Sequence, residues 1–324
     1  MPIGLHQNLD AAFGRIMTEQ SVGAIGSGAN EKHNVAFTSL LAAVLLTTTK
    51  IAVGVATRSL GILSEAAHSA LDLVAAAMTM YAVKVSAKPA DEDHPYGHGK
   101  VESLSALFEG ILLLITCFWI IKEAVIRLFF HEVPVEANLW SFGVILLSIL
   151  VDIGRSRALA KAATKFKSQA LEADALHFST DVWSSTVVLF GLFLVLLSRK
   201  LHTPWLVKAD ALAALCVAGI VVWVSVQLCR KTINDLLDAV PADLVSNAKA
   251  LVMAIPGVEN APRIRMRRTG GEWFSDVVVL VQTGMSAEEA HRVADEVETS
   301  LATLMPGGDV VVHVEPGEPN GSRV

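Results

Sequence analysis

Six long apolar stretches dominate the chain, at about 35–57, 61–83, 104–126, 139–159, 175–198 and 205–229, with short polar connections between them. At about 1.5 Å of rise per residue, roughly 20 apolar residues cross the hydrocarbon core of a bilayer. Each stretch therefore predicts one transmembrane helix. Residues 1–34 are polar and Gly-rich ("SVGAIGSGAN") and read as a flexible segment, without the charged-then-apolar order of a signal peptide. Beyond about residue 235 the pattern becomes mixed and charged. "PADLVSNAKALVMAI" carries an apolar stripe at helical spacing from Pro241, a residue suited to a first turn. "FSDVVVLVQT" and "DVVVHVE" are β-branched strands, and "SAEEAHRVADEVETSLATL" opens a helix with Ser286 followed by acids. The predicted organisation is a flexible segment (1–34), a six-helix membrane domain (35–234), an α+β domain (235–316) and a disordered tail (317–324).

Composition agrees with lipid as the solvent. Of 324 residues, 52% are hydrophobic and only 18% charged, against about 25% charged in a soluble globular chain. A net charge of −6 excludes a nucleic-acid partner recruited by bulk positive charge. Cys117, Cys216 and Cys229 all lie in apolar segments without C-x-x-C spacing, and read as small core hydrophobes. Basic residues set the orientation. Lys84, Lys88 and Lys100 follow the second stretch; Arg155, Arg157, Lys161, Lys165 and Lys167 follow the fourth; Arg230 and Lys231 follow the sixth. The opposite loops hold fewer, so both termini are expected on the cytoplasmic side.

Ionisable groups inside a bilayer cost about 2.5–3.5 kcal/mol each on insertion scales and mark function by default. The second stretch holds His68 and Asp72, the fifth His177 and Asp181, both in the pattern H-x-x-x-D. Residues four apart share one helix face. Either pair alone would serve equally well as a polar packing contact between helices. Two such faces set opposite each other would offer two imidazoles and two carboxylates, a closed tetrahedral shell of nitrogen and oxygen donors that suits zinc. Asp152 and Lys50 near stretch ends, and Glu65, read as interfacial or packing charges, whereas Asp174 could support His177 from behind. In "DEDHPYGHGK", Asp91, His94 and His98 have ligand-like spacing. Pro95 and Gly97 interrupt any helix there, so spacing alone favours a polar turn with solvated histidines over a metal site.

Taken together the residues resemble the cation diffusion facilitator family. The paired H-x-x-x-D, "HPYGHGKVESL" entering the third stretch, "LLDAVP" after the sixth and "VVVHVEP" near the end carry the likeness, over about residues 35–316. The resemblance implies a transport site at His68, Asp72, His177 and Asp181, and a loop site at Asp91, His94 and His98. It implies an αββαβ, metallochaperone-like domain that forms a homodimer and binds regulatory metal, with His291, His313 and Glu315 at ligand positions. Pro262 and Val278 stand where some relatives have histidine, which implies one tail metal per protomer. Lys100 and Asp238 fall where family members pair charges across the dimer.

The resemblance further implies that histidine first in both motifs favours Zn2+, with Cd2+, Co2+, Fe2+ and Mn2+ as further cargo. The expected function is export by metal/proton antiport through a bacterial inner membrane. Ligation needs neutral imidazole and ionised carboxylate, and imidazole titrates near pH 6.5. Manganese or iron(II) export, or a sensor on the same frame, are the rivals. No enzyme is expected, since there is neither a Walker motif nor H-E-x-x-H, and four ligands leave a hydrolytic metal no open position.

Overall fold

A computed structural model of the chain describes residues 4–58, 60–129, 139–201 and 205–317. Six long helices come first: α1 (Gly4–Thr57), α2 (Leu60–Ser86), α3 (Lys100–Phe129), α4 (Leu139–Phe166), α5 (Gln169–Leu201) and α6 (Trp205–Leu236). The polar residues expected to form a flexible N-terminal segment continue α1 instead, and its Glu31 and Lys32 reach ion-pair partners on α4 and α3. Residues 318–324, most of the expected disordered tail, lie outside the described residues.

Among the described residues, four segments are long and apolar enough to cross a membrane: Gly28–Ala56, Glu65–Ser86, Lys100–Ile126 and Leu215–Leu236. α4 and α5 fall outside that set, and α5 carries Glu172, Asp174, His177 and Asp181 in its first half. They nevertheless complete the bundle, in which α1 packs on α2, α3 on α6 and α4 on α5. The inner seam is built from small residues, with Ala36, Ala43, Ala76, Ala82, Ala163 and Ala175 against Leu159, Leu171 and Phe178. Small side chains let helix backbones approach closely where lipid supplies no hydrophobic drive for association. At Gly110 of α3 an added Cβ would stand 2.6 Å from the Cys229 sulfur on α6. Large apolar side chains point outward instead, among them Leu45, Tyr81, Phe118, Trp119, Trp183 and Trp223. An apolar exterior over a polar-seeded interior is the arrangement a bilayer requires.

The remaining chain forms α7 (Ala242–Met253), β1 (Val258–Thr269), β2 (Glu272–Val281), α8 (Ala287–Leu304) and β3 (Asp309–Pro316), in the expected αββαβ order. β1 and β2 pair antiparallel through the Gly270–Gly271 turn, and β3 returns parallel to β2 after α8. Both tail helices cover one face of the sheet, burying Val252, Val277, Val279, Val297 and Leu301. The other face stays open and displays Arg263, Arg265, Asp276, His313 and Glu315 along a cleft of about 340 Å³.

The tail sits against the polar ends of the helices. Arg268 donates to the Lys167 carbonyl at 2.9 Å, and Lys100 pairs with Asp238 at 2.8 Å. Here the Lys100–Asp238 pair, expected between protomers, closes within one chain. Asp238 takes a left-handed φ of 57° in the turn after α6, which carries its carboxylate over the start of α3.

Candidate metal centre

α2 and α5 each bring one turn of helix to the middle of the bundle. On α5, His177 Nε2 lies 3.3 Å from Asp72 Oδ1 of α2 and 3.5 Å from its own Asp181 Oδ2. On α2, His68 Nε2 lies 3.9 Å from Asp181 Oδ1 and 4.0 Å from Asp72 Oδ1. The four side chains thus alternate imidazole and carboxylate around one point, with donors from both helices. His68, Asp72 and Asp181 present ligand atoms that all lie within 4.8 Å of one another. Burial is graded: the His68 side chain is 37% exposed, those of Asp72 and Asp181 13% and 16%, and that of His177 3%. The centre therefore has an open side at His68 and a closed side at His177.

The closed side is polar. Asp174 accepts a hydrogen bond from Ser39 of α1 at 3.4 Å. Arg155 of α4 donates to Ser39 and to Asp152, and lies 3.4 Å above the Phe178 ring. Counted in the sequence among loop charges, Arg155 is a buried residue of α4, because that helix continues to Phe166. Lys50, read as a packing charge, donates to Ser69 at 2.7 Å and pairs with Glu65 at 3.3 Å. Sequence reasoning passed over Glu102 and Glu109, both fully buried on α3. Their spacing of seven, two helical turns along one face of an apolar helix, was the available signal.

The loop residues also converge. Asp91 Oδ1 accepts from the His94 backbone N–H at 2.7 Å and lies 3.1 Å from His94 Nδ1, and Asp91 Oδ2 lies 3.3 Å from His98 Nε2. All three offer ligand atoms within 4.8 Å of one another, and His98 Nδ1 is buried without a hydrogen-bond partner among the described residues. Asp91 titrates below the ordinary carboxylate range. Desolvation opposes that shift, but the His94 hydrogen bonds and the charges of His98 and His94 outweigh it. These residues fit a divalent ion held by two imidazoles and a carboxylate. The loop also touches the tail, where Tyr96 meets Phe274 edge-on and lies under Arg267.

In the tail, His313 Nε2 lies 3.3 Å from Glu315 Oε1 on β3, whereas His291 sits on α8 with Asp295 at 3.8 Å. Among the described residues these three do not gather into one cluster within a single chain.

A bundle of membrane helices closed around alternating imidazole and carboxylate donors, with a small αββαβ domain at one end, defines an integral membrane protein that handles metal cations. The profile described as cation efflux transmembrane domain matches residues 36–237, and that described as cation efflux protein, cytoplasmic domain, matches residues 240–317. The chain belongs to the cation diffusion facilitator family of cation efflux transporters. It is 32% identical to the cation-efflux pump FieF of Cronobacter sakazakii, over 87% of this chain and 91% of that protein. It is 28% identical to the manganese efflux system protein MneP of Bacillus subtilis, over 88% of this chain and 96% of that protein. A solved MamM-CTD structure aligns with 24% of this chain and 96% of its own at 19% identity, with a TM-score of 0.23.

Proposed function

We propose that the protein exports a divalent transition metal, zinc first, in exchange for protons. The observation that carries this reading is the alternation of His68, Asp72, His177 and Asp181 at 3.3–4.0 Å between imidazole and carboxylate atoms of two helices. Two nitrogen and two oxygen donors complete a tetrahedral shell, which suits Zn2+. Each ligand must shed its proton to bind metal, so filling the site releases protons and protonating it expels metal. The open side at His68 and the closed side at His177 are what one end-state of alternating access requires.

In this reading the tail faces the cytoplasm of a bacterial cell, α4 and α5 are the fourth and fifth spans, and two copies associate through their tails. The loop site at Asp91, His94 and His98 holds a regulatory ion at the junction with the tail. A tail ion at His313 and Glu315 takes its further donors from the second copy, since His291 of the same chain does not reach them.

Reconstituted into proteoliposomes, the wild type should accumulate Zn2+ only under a pH gradient. Asp72→Ala and Asp181→Ala should each lower that flux by at least about 100-fold, roughly 2.7 kcal/mol, with the fold intact. Zinc flux indifferent to an imposed pH gradient sinks antiport, and undiminished flux in both variants sinks the site. Manganese is the second reading, because one relative is described as a manganese efflux system protein. Competition by Mn2+ against labelled Zn2+ uptake separates the two.

A further inference from the structure

The tail-side half of the bundle contains buried carboxylates that the transport site does not use. α3 turns one face inward with Glu102, Ser105, Glu109 and Cys117 at helical spacing, and all four are buried. Glu102, nearest the tail, is fully engaged. It accepts from Lys32 of α1, Ser86 of α2 and Ser168 just ahead of α5.

Glu109 lies two turns deeper and is 0% exposed. Thr79 of α2 donates to its Oε1, while Oε2 has no partner among the described residues. Asp174 of α5, one turn before His177, is also 0% exposed. Its Oδ2 accepts from Ser39, and its Oδ1 has no partner among the described residues. Glu109, Asp174 and His177 lie within one another's electrostatic reach.

Leaving carboxylate oxygens buried and unpaired is costly, and two carboxylates within electrostatic reach at low dielectric add repulsion. The cation beside Asp174, Arg155, is already shared with Ser39 and Asp152. Glu109 and Asp174 therefore each keep one oxygen unused, two oxygen donors that suit a divalent cation. Position agrees, because Asp174 lies on α5 between Ser168, a partner of Glu102, and His177, and Glu109 lies two turns along α3 from Glu102. Two oxygen donors also make a weaker site than four nitrogen and oxygen donors. An ion path needs such a step, favourable enough to enter and weak enough to leave.

We propose that Glu109 and Asp174 form a transient divalent-cation position on the tail side of the transport site, from which the ion passes to His177 and its partners. The proposal rests on the transport reading. The test uses the full-length protein with Glu109→Gln and Glu109→Asp, read by Co2+ absorption in detergent and by Zn2+ flux in proteoliposomes. Co2+ is titrated in a background carrying Asp91→Ala and His313→Ala, so that its spectrum reports occupancy of the four-ligand site.

Glu109→Gln should keep the Co2+ spectrum and its titration midpoint, yet slow Zn2+ flux at least tenfold. Glu109→Asp should recover part of that loss, and the pH dependence of the residual flux should match the wild type. Wild-type flux in Glu109→Gln overturns the proposal. So does loss of the Co2+ spectrum in both variants, which makes Glu109 a support of the transport site. A slowed variant whose flux a steeper pH gradient restores also overturns it, since Glu109 then carries protons. A wild type that moves no metal at all overturns the transport reading instead, and this proposal with it.

Discussion

His68 and His177 occupy the same place in the same motif, yet one side chain is 37% exposed and the other 3%. Their substitutions should therefore part company. His68→Asp changes a ligand at the accessible edge, replacing nitrogen by the harder oxygen that manganese prefers. It should raise the Mn2+ to Zn2+ uptake ratio by about tenfold, equal to about 1.4 kcal/mol, without loss of fold. A ratio unchanged in competition assays would mean that selectivity is set elsewhere. The two pairs were legible because side chains four apart must share a helix face. Glu102, Glu109 and Arg155 were not, for a physical reason. A single charge near the end of an apolar run looks interfacial until the neighbouring helix that buries it is known, and Phe178, the surface under Arg155, lies more than twenty residues away in sequence.

At the level of elements, the apolar stripe foretold α7, Ser286 and its acids α8, and the β-branched runs β2 and β3. Apolar run length missed the reach of α1 and α4, whose polar turns continue a helix with no apolar stripe to announce it. α8 opens as Ser286 and its acids implied. The Glu289 backbone N–H donates to the Ser286 hydroxyl at 3.2 Å, and the Glu289 carboxylate accepts from the Ser286 hydroxyl at 2.8 Å and backbone N–H at 3.0 Å. The Ser286 hydrogen bonds hold the Glu289 carboxyl below the usual glutamate value. A lowered folded-state value means that its support of α8 is complete above about pH 4.3 and fades as pH falls through the lowered value. Protection of the first-turn amides of α8, after correction for the intrinsic pH dependence of exchange, should fall on that descent, and Ser286→Ala should reduce that fall, the backbone N–H bond to Glu289 being retained.

The β1–β2 turn offers a second element-level test. A Cβ at Gly99 would stand 2.7 Å from the Thr269 carbonyl carbon, and Gly270 holds φ 62° beside it. Gly99→Ala should therefore push the hairpin off the loop and speed proteolysis within residues 269–272. Equal cleavage in wild type and variant would show that the contact carries no strain.

Across the whole molecule, the tail is fastened to the bundle by few polar contacts, of which Lys100–Asp238 at 2.8 Å is the most direct. Both side chains are more than a third exposed, so the pair itself is worth only about 0–1 kcal/mol. Its importance would lie in holding two bodies in register. Lys100→Asp and Asp238→Lys should each reduce Zn2+ flux, and the double exchange should restore it. Flux that stays low in the double variant would rule the pairing out.

The open face of the tail sheet has a consequence of its own. Arg263 and Arg265 stand exposed in the same cleft as Asp276, His313 and Glu315, so two guanidinium groups offset two carboxylates and a divalent ion arriving there meets little net field. Salt, which shortens the screening length from about 10 Å at 0.1 M to about 3 Å at 1 M, therefore has little attraction to weaken. Calorimetric titration should accordingly find metal capture there nearly the same in brine as in dilute buffer, unlike an ordinary acidic chelating surface.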